Sequence, residues 1–218
     1  MSKPSRIIEP TPLGLAVMAV LFERPSHPYD IQRTLRERGK DGVVDFKPAA
    51  VYRMVDRLVS GGLVEEVGTD REGKRPERTV YRLTEEGAGV VLEWAQDMLA
   101  RPRNEYGTFA AAVSFLPLLL PDAARGVLEM RATLLDAEIA RLRSLIESAG
   151  RSSFPRLFML EEELRLAAME AEAHWVRGVV DDLAGGRLNW DQESLAELAQ
   201  QANPTRGIGD AWRHAKMA

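Results

Sequence analysis

Cysteine is absent from this 218-residue chain. That excludes disulfides, thiol nucleophiles and zinc–thiolate sites together, and it suits a reducing compartment. Histidine is scarce: His27, His174 and His214 are the only three. They fall at a helix start, on a helix and in the tail, so no two-histidine metal motif can form. A glycine-rich phosphate loop and a nucleophile elbow are missing as well. Glu161-Glu162-Glu163 is a charge run on a helix, where only part of it can share one face, so it reads as solvated surface. Together these absences argue against an enzyme and against a bound metal or cofactor. Long apolar runs are lacking too. The longest, Phe109 to Leu120, is broken by Ser114 and Pro117. It falls short of the roughly 20 residues a bilayer crossing needs, and we read it as a buried helix with no membrane role. Met1 to Pro10 holds Lys3 and Arg6 but no apolar stretch of a secretory signal, so a cytoplasmic location is expected. Nor is there an excess of positive charge. The net charge is -4, so no global field draws the chain to nucleic acid, and any such binding must use a local patch.

What is present is concentrated between Lys47 and Gly87. The segment Pro48 to Ser60 predicts a helix with Val51, Val55 and Leu58 as its buried stripe. Ala49, Ala50, Tyr52, Arg53, Asp56 and Arg57 are left for its other faces. Gly61-Gly62 supplies a stop. Two short strands follow, Leu63 to Val67 and Thr79 to Leu83, joined by a charged loop. Thr84 then caps a new helix, with Glu85 and Glu86 at its positive end. Helix, stop, strand, basic turn, strand, helix is the layout of a winged helix-turn-helix. Residues 1–100 carry 15 basic against 16 acidic side chains, whereas residues 71–82 carry five basic against two acidic. The positive charge sits in the proposed wing.

Upstream, Thr11-Pro12 opens a first helix carrying Leu13, Val17, Val20 and Leu21, and Pro25 ends it. Ser26-His27-Pro28 opens a second with Ile31 and Leu35 inward, closed by Gly39 to Gly42. The remainder reads as helical. One helix carries Val90, Val91, Trp94 and Met98 and ends before Pro102. Another covers about Glu105 to Leu116, and a long one opens at Pro121-Asp122. In the long helix Leu128, Ala132, Leu135, Ile139, Leu142, Ile146 and Ala149 form a heptad seam, broken by Gly150 to Ser153. That seam could meet another subunit or fold back on the next helix. The next helix, from Pro155, carries Leu157, Leu160, Leu164, Ala167, Ala171, Trp175 and Val179 and stops at Gly185-Gly186. A short amphipathic piece spans Leu188 to Gln200. The expected class is mostly α with a small two-stranded β-wing. The expected division is a winged helix-turn-helix domain over 1–100, an α-helical dimerisation domain over 101–203 and a flexible tail over 204–218.

These segments resemble the PadR family of bacterial transcriptional regulators. The motifs that carry the resemblance are Leu13-Gly14-Leu15, His27-Pro28-Tyr29-Asp30-Ile31, Pro48 to Leu58 around Tyr52, Gly62-Leu63-Val64-Glu65, and Tyr81 to Gly87. Phe109 to Leu120 and the helix around Glu172 and Trp175 are similar to the family's C-terminal helices. The resemblance covers roughly residues 11–184. Three positions depart from the family's pattern. Pro28 replaces a usual glycine, Arg53 follows Tyr52 where proline is frequent, and Lys47 stands where a small hydroxyl residue is common. The last two add charge beside the expected DNA face. The resemblance implies a homodimer whose last helices pack on the partner, a repressor, and a palindromic double-stranded operator. In some relatives a flat aromatic molecule stacks between tryptophans near the dimer centre.

The expected DNA-binding set is therefore Lys47, Ala50, Tyr52, Arg53 and Arg57 at the third helix, and Lys74, Arg75 and Arg78 in the wing. Arg53 and Arg57 would reach base edges or phosphates, Tyr52 would bond a phosphate, and the wing cations would grip phosphate. Trp94 and Trp175 are the candidates for a small aromatic effector, against the plainer alternative of core or interface residues. The main rival to DNA is a winged-helix module that binds protein. An apolar exposed third helix would favour it.

Overall fold

The structure, a computed structural model, describes residues 8–70, 78–102, 107–152 and 154–191. The chain divides into two compact units, Met1–Asn104 and Glu105–Ala218, each with its own apolar cluster.

In the first unit α1 (Pro12–Glu23), α2 (Pro28–Glu37) and α3 (Pro48–Ser60) each begin with proline. Its fixed φ suits a first helical turn, and its missing N–H would have had no partner there. Thr11 caps α1 by accepting a hydrogen bond from the Gly14 amide at 3.0 Å. After α3 the chain turns at Gly62, whose φ of 78° favours glycine. It then runs through β1 (Val64–Asp70), β2 (Arg78–Leu83) and α4 (Glu85–Ala100). The strands pair antiparallel with Val64 opposite Leu83 and Asp70 opposite Arg78. A bulge between Glu66 and Gly68 bends β1 and raises its twist. Ser26, in the turn between α1 and α2, adds a further rung. Its N–H donates to the Tyr81 carbonyl at 2.9 Å, and its carbonyl accepts from the Tyr81 N–H at 3.1 Å. The core is formed by Val17, Met18 and Leu21 of α1, Ile31 and Leu35 of α2, Val51, Val55 and Leu58 of α3, and Val91 and Trp94 of α4. The expected bounds and buried stripe of α3 are met residue for residue.

The second unit holds α5 (Thr108–Ser114), α6 (Pro121–Arg151) and α7 (Leu160–Ala184), with short 3-10 turns before α6 and α7. The heptad seam of α6 closes on α7 of the same chain, with Leu128, Leu135 and Ile139 against Ala173, Val176 and Leu183. Ion pairs bridge the hairpin: Arg131 to Glu172 at 2.6 Å, Arg143 to Glu170 at 2.7 Å, Arg165 to Glu138 at 3.3 Å, and Arg177 to Asp136. Each such surface pair contributes only about 0–1 kcal/mol, so the apolar seam carries most of the hairpin's stability.

Two expectations are corrected here. Phe109 to Leu120 is not a buried helix. It is α5 plus a 3-10 turn, Leu116–Leu118, parted at Phe115 because Pro117 has no N–H to donate to the Val113 carbonyl and its ring crowds that carbonyl. Phe115, Leu118 and Leu120 lie exposed, Leu118 at 79 %. Of the series expected on the helix from Pro155, Leu157, Leu160, Leu164 and Trp175 also lie exposed, whereas Val179 packs on α6. Leu166, Met169, Ala173, Val176 and Val180 pack on α6 instead. The helix is apolar on two sides, and periodicity alone does not say which side meets α6. The expected break over Gly150 to Ser153 is met, since α6 ends at Arg151 with Ser152 as its C-cap. The expected tail over 204–218, and all but the start of the piece from Leu188 to Gln200, lie outside the described residues.

Candidate nucleic-acid interface

The buried stripe of α3 dictates what the rest of that helix offers. At about 100° per residue, Ala49, Arg53, Asp56, Arg57 and Ser60 point away from Val51, Val55 and Leu58, and all five are exposed. Tyr52 falls on one shoulder, beside the start of α2, where its ring meets His27 edge-on at 5.9 Å. Ala50 falls on the opposite shoulder and is half-buried. Lys47 is exposed and occupies the N-cap of α3 without a capping hydrogen bond. The expected set is thus not one stripe. Arg53 and Arg57 share the outward face, whereas Tyr52 and Ala50 flank it. That face is cationic and polar, not the apolar surface a protein-binding third helix would present.

Pairing separates the arginines of this unit into two kinds. Arg33 is held by Asp30 at 3.0 Å and Glu37 at 3.7 Å, and Arg82 by Glu65 at 2.7 Å. Arg38 grips both oxygens of Glu23 at 2.5 and 2.7 Å, and this bond holds the Glu23 carboxyl below its ordinary pKa. Lys47, Arg53 and Arg57 have no ion-pair partner among the described residues. They are charges the fold has not neutralised internally, and they stand on the helix that faces outward. Of the expected wing residues, Lys74 and Arg75 lie outside the described residues. Arg78, the first residue of β2, places its guanidinium 5.3 Å from the centroid of the Tyr29 ring. His27 and Tyr29, which sequence reasoning used only as a motif, are thereby brought into contact with two expected DNA residues.

His27 is the N-cap of α2. Its Nδ1 accepts the Tyr29 N–H at 3.1 Å, so the proton of the neutral ring sits on Nε2. Burial, and then the nearby charge of Arg78, lower its pKa, while Asp30 acts weakly the other way.

The two tryptophans lie in different units. Trp94 is only 6 % exposed and packs in the first core. It also forms part of the wall of a shallow groove with Pro10, Glu93, Gln96, Asp97, Ala100 and Arg101. Trp175 is 46 % exposed and meets Phe109 edge-on at 5.9 Å. The Arg131 guanidinium lies 3.6 Å from the centroid of that phenylalanine. Among the described residues no group of three His, Asp or Glu side chains could hold a metal ion. None of the helices among them is long and apolar enough to cross a membrane.

Residues 17–93 match the model of the Transcriptional regulator PadR-like family. No curated protein matches the chain. Among solved structures, Bacillus subtilis PadR in complex with operator DNA aligns with a TM-score of 0.62 at 19% identity, over 78% of this chain and 98% of that one. The same protein in complex with p-coumaric acid aligns with a TM-score of 0.60 at 18% identity, over 79% and 98%. The Vibrio cholerae virulence activator AphA gives 0.59 at 19% identity, over 79% and 98%. At these identities the likeness to the solved structures is one of fold.

Proposed function

We propose, from the match of residues 17–93 to the PadR-like family model, that this chain is a DNA-binding transcriptional regulator and not an enzyme. The observation that carries the reading is the face of α3. It is exposed, it bears Arg53 and Arg57 without ion-pair partners among the described residues, and it belongs to the same unit as the wing strand that opens on Arg78. A helix of this kind fits the major groove, while the wing fits the flanking backbone. Arg53 and Arg57 supply base or phosphate contacts, Tyr52 a phosphate contact, and Lys47 and Ala50 line the approach. Lys74, Arg75 and Arg78 hold phosphates beside the groove. An arginine paired with guanine discriminates by about 1–3 kcal/mol, whereas a phosphate contact adds affinity without sequence choice.

One recognition helix reads few base pairs. The working form in this reading is a homodimer reading a palindrome with half-sites about 34–36 Å apart. The outward apolar residues of the 3-10 turn before α6, of α6 and of α7, among them Leu118, Met130, Leu134 and Leu164, supply the surface for it. Repression follows most simply if the dimer blocks polymerase in the cytoplasm, although the same fold serves an activator in the Vibrio protein. A small aromatic effector would act at Trp94 or at the exposed Trp175. To release DNA it must bind the DNA-incompetent state more tightly, by about 1.4 kcal/mol per tenfold loss of operator affinity. Flat aromatic acids that leave both tryptophan fluorescence and DNA affinity unchanged would dispose of the effector.

The test of the whole reading is binding of the purified chain to DNA from upstream of its own gene. Fluorescence anisotropy across a salt series, with random DNA as control, gives the answer. Tight, saturable, salt-sensitive binding to one segment is expected. No binding to either DNA at low salt would overturn it and bring the protein-partner reading forward.

A further inference from the structure

The DNA contacts assigned above use neither His27 nor Tyr29, yet these two residues touch two of them. His27 presents its ring to Tyr52 on α3, with the centroids 5.9 Å apart and the planes at 76°. Tyr29, half exposed, carries the Arg78 guanidinium over its face. Arg78 opens β2 opposite Asp70, the last residue of β1, so it stands at the outer rung of the two-stranded wing. One helix start therefore reaches both the recognition helix and the wing.

That helix start is itself held. Ser26 is tied to Tyr81 by two backbone hydrogen bonds, and Ser26 and Pro28 are buried. The His27 ring cannot turn freely, because its Nδ1 is engaged by the Tyr29 amide. A ring fixed by its own cap offers Tyr52 a constant edge, and Tyr29 in the first turn of α2 offers Arg78 a constant face.

We propose that His27 and Tyr29 are positioning residues of the DNA interface, holding Tyr52 and Arg78 in one arrangement before DNA arrives. The proposal rests on the DNA-binding reading and extends it to two residues without an assigned role. The physical gain is pre-ordering. Tyrosine and arginine side chains that are free in solution lose rotamer freedom on binding, and contacts that restrict them beforehand reduce that loss. The gain corresponds to roughly 2- to 10-fold in Kd for each side chain so held. Because the two residues act through others, their effects must vanish when those others are removed.

The experiment measures Kd and its salt dependence for the full chain on its binding segment, with thermal unfolding of each variant alongside. Tyr29→Phe keeps the ring beneath Arg78 and is expected to bind within about twofold of the original chain. Tyr29→Leu is expected to lose roughly 2- to 10-fold and to flatten the salt slope toward that of Arg78→Ala. The double variant Tyr29→Leu with Arg78→Ala should bind no more weakly than Arg78→Ala alone. His27→Asn keeps a capping oxygen but removes the ring, so the thermal midpoint should hold while affinity falls. That loss should be absent in a Tyr52→Ala background. Losses that multiply in the double variants would overturn positioning and show direct contact with DNA. Affinity unchanged in both Tyr29→Leu and His27→Asn would overturn it as well. If the unsubstituted chain binds no DNA, the reading beneath the proposal falls, and the proposal falls with it.

Discussion

Gly87 and Gly89 lie two residues apart on α4, and alanine at each should act in opposite directions. A Cβ on Gly87 would stand 2.0 Å from the Leu63 carbonyl oxygen and 2.9 Å from its carbon. Neither atom is the end of a flexible side chain. The oxygen also accepts the Thr84 N–H at 3.1 Å, so moving it strains the junction between β1 and α4. Overpacking of this kind costs about 1–3 kcal/mol, and a backbone obstacle this close puts it at the upper end. Alanine returns about 1 kcal/mol of helix propensity, leaving a net loss of about 2 kcal/mol. For a unit of about 100 residues that lowers the midpoint by roughly 8–16 °C. At Gly89 nothing stands within 4 Å of the added carbon, so Gly89→Ala gains the propensity alone, about 1 kcal/mol. Thermal and urea unfolding of the full chain, followed by circular dichroism, would measure both. A Gly87→Ala chain as stable as the original would refute the packing argument. Gly87→Ala and Gly89→Ala moving together would reduce it to propensity.

The division of arginines predicts that Arg53→Ala and Arg57→Ala weaken DNA binding, whereas Arg38→Ala, already engaged by Glu23, leaves it unchanged. Equal losses at all three would make the effect one of net charge. In the wing, Lys74→Ala with Arg75→Ala should weaken binding to all sequences alike and flatten the salt slope by about two. Unchanged affinity would remove the wing from the interface. His27 gives a pH dependence whose sign follows from its lowered pKa. The folded chain holds fewer protons than the unfolded one in acid. This contribution is therefore full above about pH 6.5 and is lost as pH falls through the folded value. The midpoint of the original chain should drop more between pH 7 and pH 5 than that of His27→Asn, and parallel profiles would refute it. Leu164→Glu lies on the outward side of α7, exposed at 71 %. It should leave the helical content unchanged while converting the proposed dimer to monomer in sedimentation. An unaltered sedimentation coefficient would place the interface elsewhere.

The first unit was more legible from sequence than the second, for a physical reason. Its elements are short and punctuated by Thr11-Pro12, Pro28, Pro48, Gly61-Gly62 and Thr84. Those residues act through their own backbone geometry, whatever packs around them. The bounds of α3 and its buried stripe followed. The rung between Ser26 and Tyr81 did not, because a single bridging residue in a turn leaves no alternating pattern. The contacts of His27 with Tyr52 and of Tyr29 with Arg78 were equally silent, since they join residues 25 and 49 positions apart. In the second unit, periodicity announced the helices and the buried seam of α6, but not which side of α7 meets it. Leucines at a regular spacing mark an apolar side. They do not say whether α6 or a surface outside the chain covers it.

By itself, the amino-acid sequence determined the class of the protein. With its caps, glycine stops and strands in that order and its basic charge gathered in one turn, it pointed to a winged helix-turn-helix. Local chemistry suffices for that, because caps, breakers and the 3.6-residue period act over one or two turns. Only the tertiary structure decided which arginines are already paired, which apolar stripe of α7 meets α6, and which ring steadies Tyr52. Those outcomes depend on distances between residues far apart in the chain, and such distances are set when the cores close.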